Sequence, residues 1–208
     1  MSKNRIIRLL LQRLQDILKM IPFLSVLRSK SYSQFWEDRQ MARLLKQEVG
    51  SYVDVGAGMP IWGSNTYLFY KRGWKGVTVD PIKFNIQMHK FLRKNDCQYQ
   101  CLVGQLSGNY YFYELIPWEL STTDFAVAQS RENQGAMIVN KILLKSISLE
   151  YIYDHAQMIR PAILSIDVEG AELDVLNSNN WTEYNPDLIC IEELNSPFNN
   201  SKIKSFLE

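Results

Sequence analysis

Two short apolar runs in this sequence each end in an acidic residue and a glycine, and this pattern constrains the fold most strongly. The first is Tyr52-Val53-Asp54-Val55-Gly56-Ala57-Gly58, and the second is Ile163-Leu164-Ser165-Ile166-Asp167-Val168-Glu169-Gly170. β-Branched residues favour strands, and glycine lets the backbone turn sharply and approach a ligand closely. In an open α/β sheet, ligands bind beyond the carboxyl ends of the strands. The two runs therefore predict one cleft at one edge of a sheet.

Strand and helix patterns alternate along the rest of the chain. The sequence predicts strands at 51–55, 75–80, 99–103, 139–147, 162–166 and 187–192, and helices at 33–47, 64–72, 84–93, 148–158 and 170–178. This alternation is typical of an α/β fold with a mostly parallel, doubly wound sheet. We expect an added antiparallel strand near Tyr110 to Tyr113, and an irregular lid or substrate loop over 117–135.

Charge separates a short N-terminal region from the rest of the chain. Residues 1–30 contain seven Lys or Arg residues against Asp16 alone, although the formal net charge of the whole chain is only +1. Apolar residues recur there at helical spacing, at Ile6, Leu10, Leu14, Ile17, Leu18 and Ile21. We predict a basic amphipathic helix over 1–30 and a single domain over 31–208. Packing on that domain, contact with an anionic membrane surface and docking of a partner remain open for the helix.

Several classes of protein are disfavoured by composition. No apolar run approaches the roughly 20 residues needed to cross a bilayer, and charged residues interrupt any signal-peptide core. The basic segment does not interleave aromatic residues as a nucleic-acid platform would, so we expect no nucleic-acid partner. The cysteines Cys97, Cys101 and Cys190 lack metal-ligand spacing, and we expect reduced, mostly buried thiols. These features favour a cytoplasmic protein, with peripheral membrane contact through 1–30 as an open alternative.

The first glycine turn suits a cationic nucleoside better than a dinucleotide. A dinucleotide site would read G-x-G-x-x-G, but the next glycine after Gly58 is Gly63. Asp54 would repel a pyrophosphate and suits the cationic amino-acid end of S-adenosylmethionine. Asp80 ends the second predicted strand, where such folds hold ribose hydroxyls. Asp96 lies in a turn that could approach the adenine, with a solvated turn as the alternative reading.

Taken together, the motifs resemble the FkbM family of S-adenosylmethionine-dependent methyltransferases. The matching motifs run from about residue 33 to 194 and are Ser33-Gln34 with Glu37-Asp38, Val53-Asp54-Val55-Gly56-Ala57, Ser64-Asn65-Thr66, Gly73-Trp74-Lys75-Gly76, Asp80-Pro81, Ser121-Thr122 and Leu164 to Gly170 followed by Glu172. The resemblance implies a Rossmann-like class I methyltransferase sheet. It also implies S-adenosyl-L-methionine as cofactor and methyl transfer to a hydroxyl of a sugar, glycan or secondary metabolite.

Residue roles follow from motif position in that family. The resemblance implies that Asp54, Gly56 and Gly58 line the methionine and ribose portions of the cofactor, and that Asp80 holds the ribose. Asn65 would face the reaction cleft.

The acids beyond the second run are the predicted catalytic groups. Asp167 is the candidate general base or orienting group, with Glu169 beside it and Glu172 toward the acceptor. Their grouping could raise one pKa toward neutrality. Two alternatives stay open: Glu169 caps a helix while Glu172 forms a surface pair, or Asp167, Glu169 and Glu192 bind a divalent cation. We expect the two histidines, His89 and His155, to be surface or capping residues.

Two features depart from the family pattern. Trp36 stands where the family usually has glycine, which draws attention to the backbone there. The family fold closes with two further antiparallel strands, but after the last predicted strand at 187–192 only residues 195–208 remain, with a helix starting at Ser201. We therefore expect a C-terminally incomplete methyltransferase domain. Two rival functions remain, a catalytically inactive cofactor-binding or scaffold protein and a nucleotide-dependent oxidoreductase.

Overall fold

The computed structural model describes residues 11, 13–15, 31–158, 161–193 and 201–208. The helix predicted over 1–30 lies largely outside these ranges, although residues 11 and 13–15 are helical. The chain divides into two compact units, described separately below. The insert unit comprises Met1–Lys30 and Asn109–Lys145, and the central unit comprises Ser31–Gly108 and Ser146–Glu208.

Strands and helices alternate as the sequence predicts, with two exceptions described below. The strands are β1 (Ser51–Val55), β2 (Lys75–Val79), β3 (Cys97–Tyr99), β4 (Leu102–Val103), β5 (Gly108–Ile116), β6 (Met137–Ile147), β7 (Ile163–Ile166) and β8 (Leu188–Ile191). The helices are α1 (Glu37–Leu44), α2 (Tyr67–Lys71), α3 (Lys83–Leu92), α4 (Phe125–Asn133), α5 (Leu149–His155), α6 (Glu172–Asn177) and α7 (Lys202–Leu207), with a 3₁₀ turn at Trp118–Leu120.

A five-stranded parallel sheet forms the centre of the central unit, in the order β3-β2-β1-β7-β8. Val55 at the end of β1 pairs with Val79 of β2 on one side and with Ile166 of β7 on the other. The carboxyl ends of these three strands are therefore in register, and the residues that follow them meet at one edge. This arrangement confirms the predicted Rossmann-like α/β fold.

Helices cover both faces of the sheet, as parallel sheets require. Val53 and Leu164 lie in a core that includes Leu149 and Ile152 of α5 and Leu176 of α6. The neighbouring residues along the same strands, Tyr52 and Ile163, point to the opposite face and pack with Met41, Phe69 and Trp74. The rings of Phe69 and Trp74 are 4.9 Å apart, so these two aromatics serve the core.

One predicted strand is wrong as a single element. Instead of a strand at 99–103, β3 ends at Tyr99 and pairs with β2, whereas β4 pairs in parallel with Ser146 and Ile147 at the end of β6. The exposed Gln100 separates the two segments. Cys101 is buried here as expected, but Cys97 is exposed, contrary to the prediction of mostly buried thiols.

The insert unit contains a helix where we expected an irregular loop. Residues 117–135 form the 3₁₀ turn and α4, and the carboxylate of Asp124 accepts hydrogen bonds from the backbone N–H groups of Ala126 and Val127. Aspartate is a favoured N-cap because it satisfies these otherwise unpaired donors. Tyr113 and Leu115 of β5 pack with Ala128 in the core of this unit.

The start of α1 has a strained backbone. Trp36 precedes the helix with φ at 71°, in the left-handed region that bulky residues avoid. The buried carboxylate of Asp38 holds the preceding segment, because it accepts hydrogen bonds from the Ser31 hydroxyl at 2.6 Å and the Tyr32 N–H at 2.8 Å. The helix therefore begins at Glu37, later than the predicted start at Ser33.

Within the described ranges, no helix has the length and apolar character that a membrane crossing requires.

Replacing Trp36 with glycine should stabilise the protein. The left-handed conformation costs a non-glycine residue on the order of 1–2 kcal/mol, so Trp36→Gly should raise the free energy of unfolding by about 1 kcal/mol. Phe35 is the matched control, since it is also exposed but lacks a positive φ. Phe35→Gly should lower stability by up to about 1 kcal/mol. Urea denaturation measures the free energy of unfolding of both variants. A lower stability of Trp36→Gly than of the wild type would contradict the proposal that Trp36 has a strained backbone.

Candidate active site

A glycine turn follows β1 and lies directly against the end of β7. Gly56 and Gly58 have φ values of 78° and 55°, and the N–H groups of Gly56 and Ala57 both donate to the Val79 carbonyl. A Cβ atom on Gly56 would lie only 1.7 Å from the carbonyl oxygen of Asp167. Two features therefore exclude a side chain at Gly56: the collision with the Asp167 carbonyl and the positive φ of the backbone.

Two side chains bind the backbone of Gly58, one at its N–H group and the other at its carbonyl oxygen. The Gly58 N–H donates to Asp80 Oδ2 at 2.9 Å, and the Gly58 carbonyl accepts from His89 Nε2 at 3.1 Å. Asp80 Oδ1 also accepts from the Ile82 N–H at 2.7 Å. Asp80 thus lies just beyond β2, as the sequence predicted, and connects the glycine turn to the start of α3.

His89 is a buried residue of the site, which corrects the prediction of a surface or capping histidine. It is fully buried, and this burial, together with the nearby positive charge of Arg93, lowers its pKa to about 3. The imidazole is therefore neutral, and because a carbonyl can only accept, Nε2 carries the proton. Helical spacing would have revealed the position, since Ile82, Ile86, His89 and Arg93 lie on one face and all are buried.

A fully buried arginine fixes the segment that follows the glycine turn. Arg93 Nε donates to Asp96 Oδ2 at 2.8 Å, and Nη2 donates to Thr66 Oγ1 at 2.9 Å. Nη1 donates to Ser64 Oγ at 3.2 Å, and Nη2 also reaches the Tyr52 hydroxyl at 2.9 Å. Sequence analysis did not identify Arg93, because its partners are spread over three separate segments.

Asp54 and Asp96 belong to this buried network. Asp54 lies within β1 and accepts from Thr66 Oγ1 at 2.5 Å; burial raises its pKa, while the charge of Arg93 and the Thr66 hydrogen bond oppose the shift. Asp96 accepts from the Tyr52 hydroxyl at 2.7 Å and is buried, so the solvated-turn alternative is wrong. Both carboxylates have hydrogen-bond partners inside the protein. Their contacts with a cofactor stay predictions.

Asn65 connects the anchored segment to β7. Its neighbours Ser64 and Thr66 are both bonded to Arg93, and its own Nδ2 donates to the hydroxyl of Ser165 at 3.2 Å. Asn65 is half-buried, whereas the residues on either side are buried. This bond holds Asn65 against β7, and its place in the reaction cleft stays a prediction.

Asp167 lies beside Glu192, a carboxylate that the sequence suggested only as a metal ligand. Burial and a hydrogen bond with Glu192 raise the pKa of Asp167 to about 8, with further repulsion from Glu192 and Glu169. Asp167 follows β7 and Glu192 follows β8, and these two strands are neighbours in the sheet. The Asp167 N–H donates to the Val55 carbonyl, and the Glu192 N–H donates to the Ile166 carbonyl. The sequence predicts a raised pKa from the grouping of Asp167 with Glu169 and Glu172, whereas burial and Glu192 are the main causes of the rise at Asp167.

Glu169 and Glu172 occupy different environments. Glu169 has a φ of 58° and is followed by Gly170 at 106°, so the chain turns sharply after β7. Glu172 is buried, and its carboxylate accepts from the Gly170 N–H at 2.8 Å. The alternative of a surface pair for Glu172 is therefore wrong, and its contact with an acceptor stays a prediction.

The residues at the sheet edge thus fall into two groups. Gly56, Gly58, Asp80 and Asp167 lie at the carboxyl ends of β1, β2 and β7. Asp54 lies within β1, and Asp96 precedes β3 at the amino end of the sheet, where it accepts from the Gly76 N–H at 3.0 Å. Among the described residues, no group of three or more potential ligands is close enough to hold a metal ion.

An open depression of about 420 Å³ lies at the opposite edge of the sheet. It is lined by Gln47, Val49, Gly50, Ser51, Ala162 and Asp187, next to the amino ends of β1 and β7. Because open α/β sheets bind ligands at the carboxyl ends of their strands, this depression is not the candidate site.

Comparison with known families agrees with this geometry. The family model described as Methyltransferase FkbM domain matches residues 54–208. The chain belongs to the FkbM methyltransferase family. No curated protein and no solved structure matches the chain. The match to FkbM begins at Asp54 and so includes the glycine turn, Asp80, Asn65 and the acids after β7.

The neutral state of His89 predicts acid sensitivity. The pKa of histidine is near 6.5 in the unfolded chain and about 3 in the folded protein. Between these pH values the unfolded chain binds a proton at His89 and the folded protein does not, so the free energy of unfolding decreases as the pH drops toward 3. The expected loss reaches up to about 1.4 kcal/mol per pH unit. His89→Gln retains an N–H donor but cannot titrate, so its thermal midpoint should fall less between pH 6.5 and 4. Parallel curves for the two proteins would contradict the assignment.

Removing the buried guanidinium should destabilise the fold strongly. Arg93→Met leaves the buried Asp96 carboxylate without its ion-pair partner, which typically costs about 3–5 kcal/mol. The adjacent Lys94 is exposed, so Lys94→Met should change stability by less than about 0.5 kcal/mol. Denaturant unfolding compares the two variants, and equal stabilities would show that the network contributes little.

Proposed function

We propose that this FkbM family member is an S-adenosyl-L-methionine-dependent O-methyltransferase that acts in the cytoplasm on a hydroxyl of a sugar, glycan or secondary metabolite. The observation that carries the proposal is the glycine turn of Gly56 to Gly58, held between Asp80 and the backbone of Asp167. Family membership supports methyl transfer, and the chemistry of the strand ends supports the cofactor.

The charges at the carboxyl ends of the strands fit a positively charged ligand. The acids there are Asp80, Glu169 and Glu192, together with Asp167, which becomes charged only above its pKa of about 8. Carboxylates attract a sulfonium and an ammonium group, whereas they would repel a diphosphate. S-adenosyl-L-methionine carries both cationic groups, and when bound it supplies the methyl group. The residues present therefore fit this cofactor.

Some of the proposed cofactor residues would contact the cofactor directly, and the others would support them. Gly56 and Gly58 would line the methionine and ribose portions, and Asp80 would accept from ribose hydroxyls. Each carboxylate oxygen has more than one acceptor site, so Asp80 can bind Gly58, Ile82 and a ligand hydroxyl together. Asp54 and Asp96 complete the proposed set indirectly, because both belong to the hydrogen-bond network around Arg93 that holds Ser64 and Thr66.

Asn65, Asp167, Glu169 and Glu172 are proposed for the acceptor side. Transfer of a methyl group to a hydroxyl releases a proton, which a nearby base must accept. Asp167 is the proposed base, since it lies after β7 and its pKa is near 8. Below that pH it holds a proton toward Glu192, and above it the ionised carboxylate accepts the proton of an acceptor hydroxyl.

Binding and turnover together test the function. Calorimetric titration with S-adenosylhomocysteine measures the cofactor site, and incubation with S-adenosylmethionine and a panel of sugars, glycans and hydroxylated metabolites measures methyl transfer. Binding with turnover on one such acceptor supports the proposal. Binding without turnover on any acceptor favours the inactive cofactor-binding alternative, and absence of binding contradicts both.

The role of Asp80 predicts a loss of cofactor affinity. Asp80→Asn keeps the shape of the side chain but removes its charge, so affinity for S-adenosylhomocysteine should fall by about 1–3 kcal/mol. Glu183 is exposed and serves as the charge-matched control, and Glu183→Gln should bind like the wild type. Unchanged affinity in Asp80→Asn would remove Asp80 from the ribose site.

The role of Asp167 predicts the pH dependence of turnover. Because its pKa is raised to about 8, the rate at saturating cofactor should increase as the pH rises through 8. Asp167→Asn should lower turnover by about 10²–10⁴-fold, flatten the profile and leave cofactor affinity nearly intact. A wild-type profile that is flat from pH 7 to 9 would exclude Asp167 as the base.

A further inference from the structure

A large aromatic residue is held in solvent in front of α1. Trp36 is 51% exposed, and its φ of 71° lies in the left-handed region that bulky side chains avoid. Such a conformation persists only where the surrounding structure enforces it, and ligand-binding sites are where it concentrates. Here Asp38 enforces it, because its carboxylate accepts from the Ser33 hydroxyl at 3.0 Å while its N–H donates to the same hydroxyl at 3.2 Å. The fold therefore keeps Trp36 exposed at a cost in stability, which makes it a candidate for ligand contact.

The direction of α1 places Trp36 at the carboxyl edge of the central sheet. The segment after α1 lies at the amino edge, because Gln47 Nε2 donates at 2.7 Å to Asp187 Oδ2, just before β8. Midway along the helix, Met41 packs in the same apolar cluster as Cys190 of β8. A helix rises about 1.5 Å per residue and a strand about 3.3 Å, so five residues of helix and two of strand both cover about 7 Å. Counted from Met41 and Cys190, Trp36 therefore reaches the level of the residues that follow β8.

The segment before Trp36 lies against the loop that carries Asn65. The Tyr32 carbonyl accepts from the Gly63 N–H at 2.9 Å. Asn65 follows shortly after and donates to the hydroxyl of Ser165 on β7 at 3.2 Å. Trp36 thus belongs to a segment that contacts the Asn65 loop at one end and leads into a helix packed on β8 at the other. These are the two places where the acceptor groups are proposed.

The polar groups near this segment indicate the class of ligand. Asn65, Asp167 and Glu192 are each half-buried, so part of each remains open to solvent. A sugar ring presents C–H groups that pack on an aromatic face, and hydroxyls that form hydrogen bonds with amides and carboxylates. A wholly apolar ligand on Trp36 would instead cover these polar groups without pairing them, which is costly. An aromatic platform beside amide and carboxylate groups therefore fits a saccharide.

We propose that Trp36 is an acceptor-binding residue whose indole stacks on a sugar ring, and that the acceptor is therefore a saccharide. The inference rests on the proposed methyl transfer and narrows its acceptor to one chemical class. Glycine at this position would relieve the backbone but could not stack. Binding and stability therefore make opposite demands on the residue before α1.

Calorimetric titration with oligosaccharides, with and without S-adenosylhomocysteine, tests the inference. The probes are neutral oligosaccharides of glucose, galactose, mannose and rhamnose, and the wild type should bind at least one of them. Trp36→Gly should weaken that binding at least about tenfold, the loss expected for one stacked aromatic side chain. Its urea midpoint should at the same time rise above the wild-type value. Weaker binding by a more stable protein separates ligand contact from damage to the fold.

Two further variants separate stacking from other effects of the substitution. Trp36→Tyr keeps an aromatic ring and should bind the saccharide within about threefold of the wild type. Phe91 is another exposed aromatic residue, 67% exposed on α3, and Phe91→Ala should bind like the wild type.

Equal saccharide affinity in Trp36→Gly and the wild type overturns the inference. So does a wild type that binds none of the oligosaccharides, or that binds only hydroxylated aromatic or aliphatic metabolites. Failure of the proposed function has a different signature, which is absence of S-adenosylhomocysteine binding, or saccharide binding without methyl transfer from S-adenosylmethionine.

Discussion

The close approach of the glycine turn to the end of β7 is the constraint on which the site depends. At Gly56 a Cβ atom would collide with the Asp167 carbonyl, and the Asp167 N–H in turn donates to Val55 at 2.9 Å. The backbone of the turn and the backbone after β7 are therefore packed against each other without a side chain between them. This contact sets the position of Asp167 relative to Gly58 and Asp80, and so brings the proposed cofactor and acceptor groups to one edge of the sheet.

A second layer of polar side chains supports that edge from inside the protein. His89 and Asp80 hold the two peptide groups of Gly58, and Arg93 holds the residues on both sides of Asn65. Unpaired buried polar groups are costly, so the hydrogen bonds of these side chains favour one arrangement, although Nδ1 of His89 has no partner. The backbone of the turn and the Asn65 segment are therefore fixed before any ligand binds, which lowers the cost of ordering a binding site.

The sequence predicted those parts of the fold whose signals are local. β1 and β7 are short, mainly apolar runs followed by acids and glycine, and β2 is a short run followed by Asp80-Pro81, so their positions and shared edge followed from the pattern. The boundary between β3 and β4 did not, because Gln100 interrupts the pairing without interrupting the apolar pattern. Helix α4 was missed because its apolar residues are weakly periodic, although Asp124 offered a cap signal. The burial of His89 could have been read from helical spacing, but its bond to Gly58, the bonds of Arg93 to Ser64, Thr66 and Tyr52, and the pairing of Asp167 with Glu192 join residues distant in the chain, which no local pattern identifies.

The most direct test of this account is a crystal structure with S-adenosylhomocysteine. The account predicts density for the ligand at the carboxyl ends of β1 and β2, with its ribose hydroxyls within hydrogen-bonding distance of Asp80 and the turn from Gly56 to Gly58 in the conformation described. Density at another edge of the sheet, or a ligand whose ribose lies away from Asp80, would contradict the central claim that carboxylates at adjacent strand ends form the cofactor site.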